Sequence, residues 1–209
     1  MADRRRAVAG LLAAVALLAS GCGGSPGPAA SVVSGTDNGG YHGAHLDDPY
    51  VVPDITLTDA EGKPYSLAKD PAPLKVVFFG YTNCPDICQA VMSTIASAVT
   101  RLDAAHRKQV QVDFVTTDPA RDTGPALRSY LVRFDPSFVG VTGDLKQIID
   151  LAEPLKVYLE KGKKLPSGGY EVDHSTYVFG VTGDKAQLVW TQGTSPAQMA
   201  ADMIRLLDS

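Results

Sequence analysis

Three cysteines in 209 residues are too few for a disulfide scaffold, and too few for a zinc or iron–sulfur site built from four thiolates. Positive charge is also short. Nineteen lysines and arginines face 23 aspartates and glutamates, a net charge of −4, and no basic stretch follows Arg4, Arg5 and Arg6. That balance excludes a nucleic-acid partner. Long apolar runs are missing too, apart from one at the N-terminus, so a multi-span membrane protein is excluded. What is present, 44% hydrophobic and 20% charged residues, is a globular balance in a chain of one or at most two domains.

The N-terminus reads as an address. Three arginines precede an uncharged apolar run at 7–19, and small residues follow it. A positive segment, an apolar stretch of this length and a small-residue end describe a secretory signal rather than a packed helix. The ending Leu18-Ala19-Ser20-Gly21-Cys22 resembles the lipobox of bacterial lipoproteins, in which the cysteine is lipidated and becomes the first residue; Leu18 stands one position earlier than that pattern prefers. The resemblance implies a signal peptide at 1–21, lipidation of Cys22, and an extracytoplasmic protein held to the cell membrane by its lipid anchor. The adjacent arginines leave both the general secretory and the twin-arginine route open. Cleavage would remove three arginines and one aspartate, taking the net charge from −4 to −6.

Residues 22–49 are rich in Gly, Ser, Pro and Ala without apolar periodicity, which predicts a flexible tether; it carries His42 and His45. The folded domain is expected at 50–209. Segments 54–58 and 63–67 flank Asp59-Ala60-Glu61-Gly62 as an N-terminal β-hairpin. The continuous apolar run LKVVFFG at 74–80 predicts a strand buried on both faces. Ile87, Val91, Ile95, Ala98 and Leu102 recur at helical spacing, predicting one long helix over 88–105. Strands at 110–116 and 138–141 alternate with helices at 123–134 and 144–152, the last with Ile148, Ile149 and Leu151 inward. Strands at 156–160, 177–181 and 187–191 follow, with a Gly-rich segment at 162–169. A final helix starts at Ser195-Pro196-Ala197-Gln198, where Ser at the cap, Pro at the first position and Gln three after the cap form a capping box. The fold class is therefore α/β: an N-terminal β-hairpin, then a central mixed sheet flanked by helices.

The segment Gly80-Tyr81-Thr82-Asn83-Cys84-Pro85-Asp86-Ile87-Cys88 lies between the buried strand and the longest helix, at the carboxyl end of a strand where α/β sheets collect their sites. Two cysteines four apart in a regular helix stand about 5–6 Å apart at Cβ, too far for a disulfide. Pro85 changes this, because the residue before a proline is pushed out of the α region. Cys84 is then expected in the loop and Cys88 in the first helical turn, with their sulfurs free to converge. Unpaired N–H groups at a helix N-terminus favour thiolate. Such a pair can cycle through a disulfide or hold a soft metal ion. A disulfide closing so short a loop would add little stability, which argues against a merely structural bridge.

His174, in Glu171-Val172-Asp173-His174-Ser175-Thr176, precedes a strand and follows the Gly-rich segment; His106 stands at the polar end of the long helix. Two thiolates and an imidazole form a donor set suited to Cu(I) and able to hold Cu(II), whereas structural zinc normally takes a fourth protein ligand.

GYTNCPDIC (80–88), VTTDPARDT (115–123), FVGVTG (138–143) and VDHSTYVFGV (172–181) together resemble, in order and over about 150 residues, the Sco/SenC copper-chaperone family. The resemblance implies a thioredoxin-like fold, copper ion as cargo, and Cys84, Cys88 and His174 as its ligands. It implies service to cytochrome c oxidase, either delivering copper to the binuclear copper site of subunit II or reducing the cysteines of that site, and an upstream copper donor as a possible further partner. On the second reading Cys84 and Cys88 are the redox pair of a thiol–disulfide reductase. Asp118-Pro119 resembles the family's Asp-Pro; from the residues alone it is a turn ending a strand and stays outside the ligand set. Gln89 stands where the family usually has proline, restoring an N–H in the first turn. A peroxiredoxin-like peroxidase fits less well, since Tyr81 occupies the position three before Cys84 where such sites place Thr or Ser.

Overall fold

The computed structural model describes residues 38–164 and 170–209, with side chains for all of these except 160–164 and 170–174. The expected signal peptide at 1–21, Cys22 and most of the tether lie outside the described residues.

The first element is a strand that composition does not suggest. β1 (Ala44–Val51) pairs antiparallel with β10 (Lys185–Trp190), with an irregularity between His45 and Tyr50. The order therefore begins upstream of residue 50. Its sequence, AHLDDPYV, shows no apolar alternation because it is an edge strand with one partner, and Pro49 is tolerated there for the same reason. His42 and His45 sit in this ordered stretch: the His42 backbone N–H donates to Asp202 at 2.9 Å, and the His45 ring stacks on Tyr41 at 5.1 Å.

The expected hairpin is shorter than its apolar pattern, β2 (Leu57–Asp59) and β3 (Pro64–Tyr65), turning through Gly62 at φ 84°. β4 (Leu74–Gly80), β5 (Val110–Thr116) and β6 (Val139–Thr142) are parallel neighbours at the centre. The long helix is two: α1 (Ile87–Val99), then α2 (Ala104–Arg107). α1 ends at its C-cap Thr100, and Asp103 starts α2 by accepting the Ala105 and His106 N–H groups. Leu102 nevertheless stays buried, which is why the apolar stripe runs on across the break. His106 in α2 is ion-paired to Asp103 at 2.6 Å and Asp208 at 3.4 Å.

α3 (Gly124–Leu131) and α4 (Leu145–Ala152) fall close to expectation. Ile148 and Leu151 are buried but Ile149 is exposed, because 148 and 151 share one face and 149 points away from it. β7 (Leu159–Lys164) and β8 (Tyr170–His174) make a separate two-stranded sheet, so the strand expected at 156–160 begins later, after a turn with Lys156 at φ 59°. β9 (Val178–Thr182) and β10 form the terminal hairpin, and α5 (Pro196–Leu207) opens with the expected capping box of Ser195 and Gln198.

The main sheet runs β1-β10-β9-β4-β5-β6-β2-β3, parallel at its centre and antiparallel on both flanks. One face packs Phe78, Phe114 and Trp190 against Met92 and Ile95 of α1, Leu127 of α3 and Met203 of α5. The other packs Val77, Phe79, Val115 and Phe179 against Ile148 and Leu151 of α4. This is the expected α/β architecture, a mixed sheet between helices. Among the described residues no helix is long and apolar enough to cross a membrane.

Candidate metal and redox site

β4 is buried along its whole length and delivers the chain to the C-terminal edge of the sheet. Its last residue must be glycine: a Cβ on Gly80 would lie 2.8 Å from the Phe78 ring and 2.9 Å from that of Phe114. The Thr117 N–H donates to the Gly80 carbonyl at 2.7 Å, holding the ends of β4 and β5 together. Beyond Gly80 the chain turns, with the Cys84 N–H donating to the Tyr81 carbonyl at 3.2 Å.

Pro85 does what its chemistry predicts. Cys84 stays in the loop, Asp86 is the N-cap with non-helical dihedrals, and Cys88 is the second residue of α1. The Asp86 side chain makes no capping hydrogen bond. One of the orphan N–H groups of the first turn is satisfied by sulfur instead: the Cys88 N–H donates to Cys84 Sγ at 3.3 Å. Both cysteines are buried thiols, Cys84 at 4% exposure and Cys88 at 0%.

The electrostatics differ from the expectation of a ready thiolate at Cys88. Hydrogen bonding with Cys84 and then burial push the Cys88 thiol far above the ordinary range, and the nearby negative charge of Asp122 adds to this. A backbone hydrogen bond with Tyr81 pulls only partly the other way. The partial charge at the helix end is thus directed at Cys84 through the Cys88 N–H, while Cys88 keeps its proton.

Several residues around the pair escape sequence reasoning. Asp122, fully buried, accepts from the Thr82 N–H (2.9 Å), the Thr82 hydroxyl (2.6 Å) and the Thr116 hydroxyl (2.7 Å). Asp118 is buried in an ion pair with Arg121, whose guanidinium lies 5.9 Å from the Tyr81 ring centre. Tyr130 of α3 packs on Phe114, and its buried hydroxyl has no hydrogen-bond partner among the described residues. Burial, and then the charges that Cys88 and Cys84 would carry, push that phenol upward, which places it within electrostatic reach of both sulfurs. In the sequence Asp122 looks like a polar turn residue of VTTDPARDT, whereas Asp118 stands in the Asp-Pro pair that resembles the family's and stays outside the ligand set.

His174 ends β8, its backbone opposite Leu159; its side chain lies outside the described residues. Two residues on, Thr176 lines a cleft of about 140 Å³ together with Ile87, Val91, Val178 and Met199. Gln192 donates to the Thr176 hydroxyl at 2.7 Å and holds this segment against the end of β10. The segment after His174 and the residue before Cys88 therefore share one cleft wall.

Comparison with known proteins bears on the family and the fold. The SCO1/SenC family model matches residues 44–208. The mitochondrial protein SCO2 of Saccharomyces cerevisiae is 32% identical over 143 residues, 68% of this chain and 46% of its own length, so the chain spans about half of that relative. The solution structure of apo Sco1 from Thermus thermophilus superposes with a TM-score of 0.71 at 30% identity, covering 79% of this chain and 96% of that one. Bradyrhizobium japonicum ScoI with copper bound superposes at 0.67 with 28% identity, covering 75% and 99%. The fold is accordingly the thioredoxin-like one of these structures, and the chain belongs to the SCO1/SenC family.

Proposed function

We propose that this protein is an extracytoplasmic copper carrier, anchored through a lipid on Cys22, that holds its cargo with Cys84, Cys88 and His174 and delivers it to the binuclear site in subunit II of cytochrome c oxidase. The observation that carries the reading is the pairing of two buried thiols at one helix start, with the Cys88 N–H on Cys84 Sγ. Two soft donors one turn apart suit Cu(I), and a borderline imidazole completes a set that also accommodates Cu(II). The shared cleft of Thr176 and Ile87 supports His174 as the third donor, since it brings the chain just beyond that histidine to the helix bearing Cys88. The copper-bound state of the Bradyrhizobium relative supports copper as the metal.

Loading displaces protons from the thiols, because thiolate is the ligand. Delivery proceeds by ligand exchange: a partner thiolate adds to the copper, one protein sulfur leaves and takes up a proton, and the exchange repeats until the ion is transferred. Nothing is oxidised or reduced in this sequence.

The same contact favours a second reading, a thiol–disulfide reductase. There Cys84, whose sulfur accepts the helix N–H, attacks a partner disulfide. Cys88 then resolves the mixed disulfide, so two electrons and two protons pass to the partner and the Cys84–Cys88 bond forms. One pair of variants separates the readings. A carrier loses tight Cu(II) binding in His174→Ala while disulfide exchange persists, and loses all copper in the Cys84→Ala, Cys88→Ala double variant. Full copper retention in His174→Ala would remove that residue from the ligand set.

A further inference from the structure

Four aspartates are buried among the described residues, at 113, 118, 122 and 202. Asp122 is the one whose carboxylate accepts from both Thr82, in the loop that bears Cys84, and Thr116, at the end of β5. Its Oδ1 accepts from the Thr82 hydroxyl and its Oδ2 from the Thr82 N–H and the Thr116 hydroxyl, at 2.6, 2.9 and 2.7 Å. Burying a carboxylate is costly unless its oxygens are satisfied, and here burial pushes the acid up while these three donors pull it down. The backbone supports the same point: the Asp122 N–H donates to the Asp118 carbonyl at 2.9 Å, and the Asp122 carbonyl accepts from Thr142 at 3.4 Å.

The consequence falls on Cys84. Thr82 is held by two atoms, its amide and its hydroxyl, to one rigid carboxylate. Around Thr82 the Cys84 N–H donates to the Tyr81 carbonyl, and the Cys88 N–H in turn donates to Cys84 Sγ. The height of the Cys84 sulfur over the first turn of α1 is therefore set from β5 and the loop before α3, through Thr82.

We infer that Asp122 is a positioning residue for the Cys84–Cys88 pair, holding the two sulfurs in their dithiol arrangement by clamping Thr82; the inference rests on that pair being the working site. Asparagine cannot replace it. One oxygen becomes an NH₂, so the Thr82 hydroxyl must turn round and accept from it, and the bonds to an ionised carboxylate become weaker ones to a neutral amide. The loosened loop no longer favours the dithiol geometry, so the equilibrium moves toward the disulfide.

The test is read on metal-free protein equilibrated with dithiothreitol, where the dithiol passes two electrons and two protons to the oxidised reagent. Asp122→Asn should shift the exchange constant toward the disulfide about tenfold, which is about 30 mV for this two-electron couple. Thr82→Val, which keeps the N–H and removes only the hydroxyl, should shift it severalfold in the same direction, and Thr82→Ser should restore the native value. Because both act through one clamp, the Asp122→Asn, Thr82→Val double variant should shift no further than Asp122→Asn alone. If Asp122→Asn does not fold, the Thr82→Val and Thr82→Ser pair decides the matter by itself. A native constant in folded Asp122→Asn or in Thr82→Val, or effects that multiply in the double variant, would overturn the inference. Copper loading of the same proteins is a separate readout: a native chain that takes up no copper while these constants shift would remove the carrier reading and leave the clamp standing.

Discussion

The sulfur of Cys84 accepts a hydrogen bond from the backbone N–H of Cys88 at 3.3 Å, taking the capping place that the Asp86 side chain leaves unused. A single contact thereby joins the helix start to the chemistry. It aims the partial positive end of α1 at one sulfur, and it places the other in the buried first turn, where its thiol is pushed upward. Burial and the bond to Cys84 keep the Cys88 thiol protonated.

This role for Cys84 predicts an effect on stability apart from metal. Cys84→Ala removes the acceptor from the first turn and should destabilise the metal-free reduced protein by roughly 1 kcal/mol, the usual size of a lost N-terminal cap. Cys84→Ser keeps an acceptor and should recover most of that loss. Urea unfolding of the two variants under reducing conditions measures the difference.

Copper uptake should release protons. Because the Cys88 thiol is raised by its bond to Cys84 and by burial, it is protonated at neutral pH and must give up its proton to bind. The apparent copper affinity should therefore rise with pH between 6 and 8, and calorimetry in buffers of different ionisation enthalpy should show a heat that depends on the buffer.

A second pH effect lies on the opposite face of the sheet, away from the cysteines. Asp113 is fully buried beside Tyr65, Gln111 and Lys75, and burial raises its carboxyl to about 7. A carboxyl raised on folding gives its favourable contribution below the unfolded value of about 4, loses it as the pH climbs, and gives none above about 7. Native stability should fall across that window on account of this group. Asp113→Asn should flatten the fall and raise Tm at pH 8 relative to the native chain, as thermal unfolding at pH 5 and pH 8 will measure.

Asp202 of α5 ties down the start of the ordered chain, accepting from the His42 and Gly43 N–H groups at 2.9 and 2.8 Å and from the Trp190 indole at 2.8 Å. Asp202→Ala leaves those donors without an acceptor and should cost roughly 3 kcal/mol in denaturant unfolding, with faster amide exchange at 42–45.

What the sequence revealed and what it hid divide along physical lines. The β4–α1 junction was legible because a proline between two cysteines dictates the backbone there, and β4 was legible because a strand buried by neighbours on both sides leaves a continuous apolar run. β1 was not: a half-buried edge strand containing Asp47, Asp48 and Pro49 carries no periodic signal. The break between α1 and α2 was masked by Leu102, which continues the stripe after the helix has ended. Asp122 was hidden for a different reason. A buried carboxylate is recognisable only by its donors, and the Thr82 and Thr116 that satisfy it lie 40 and 6 residues away.

Copper titration of the whole chain, fully reduced and fully oxidised in parallel, tests the central claim most directly. The account predicts one copper ion per reduced chain and none once Cys84 and Cys88 are joined as a disulfide. Equal copper in the two forms would contradict it, because the ion would then be held by something other than these sulfurs.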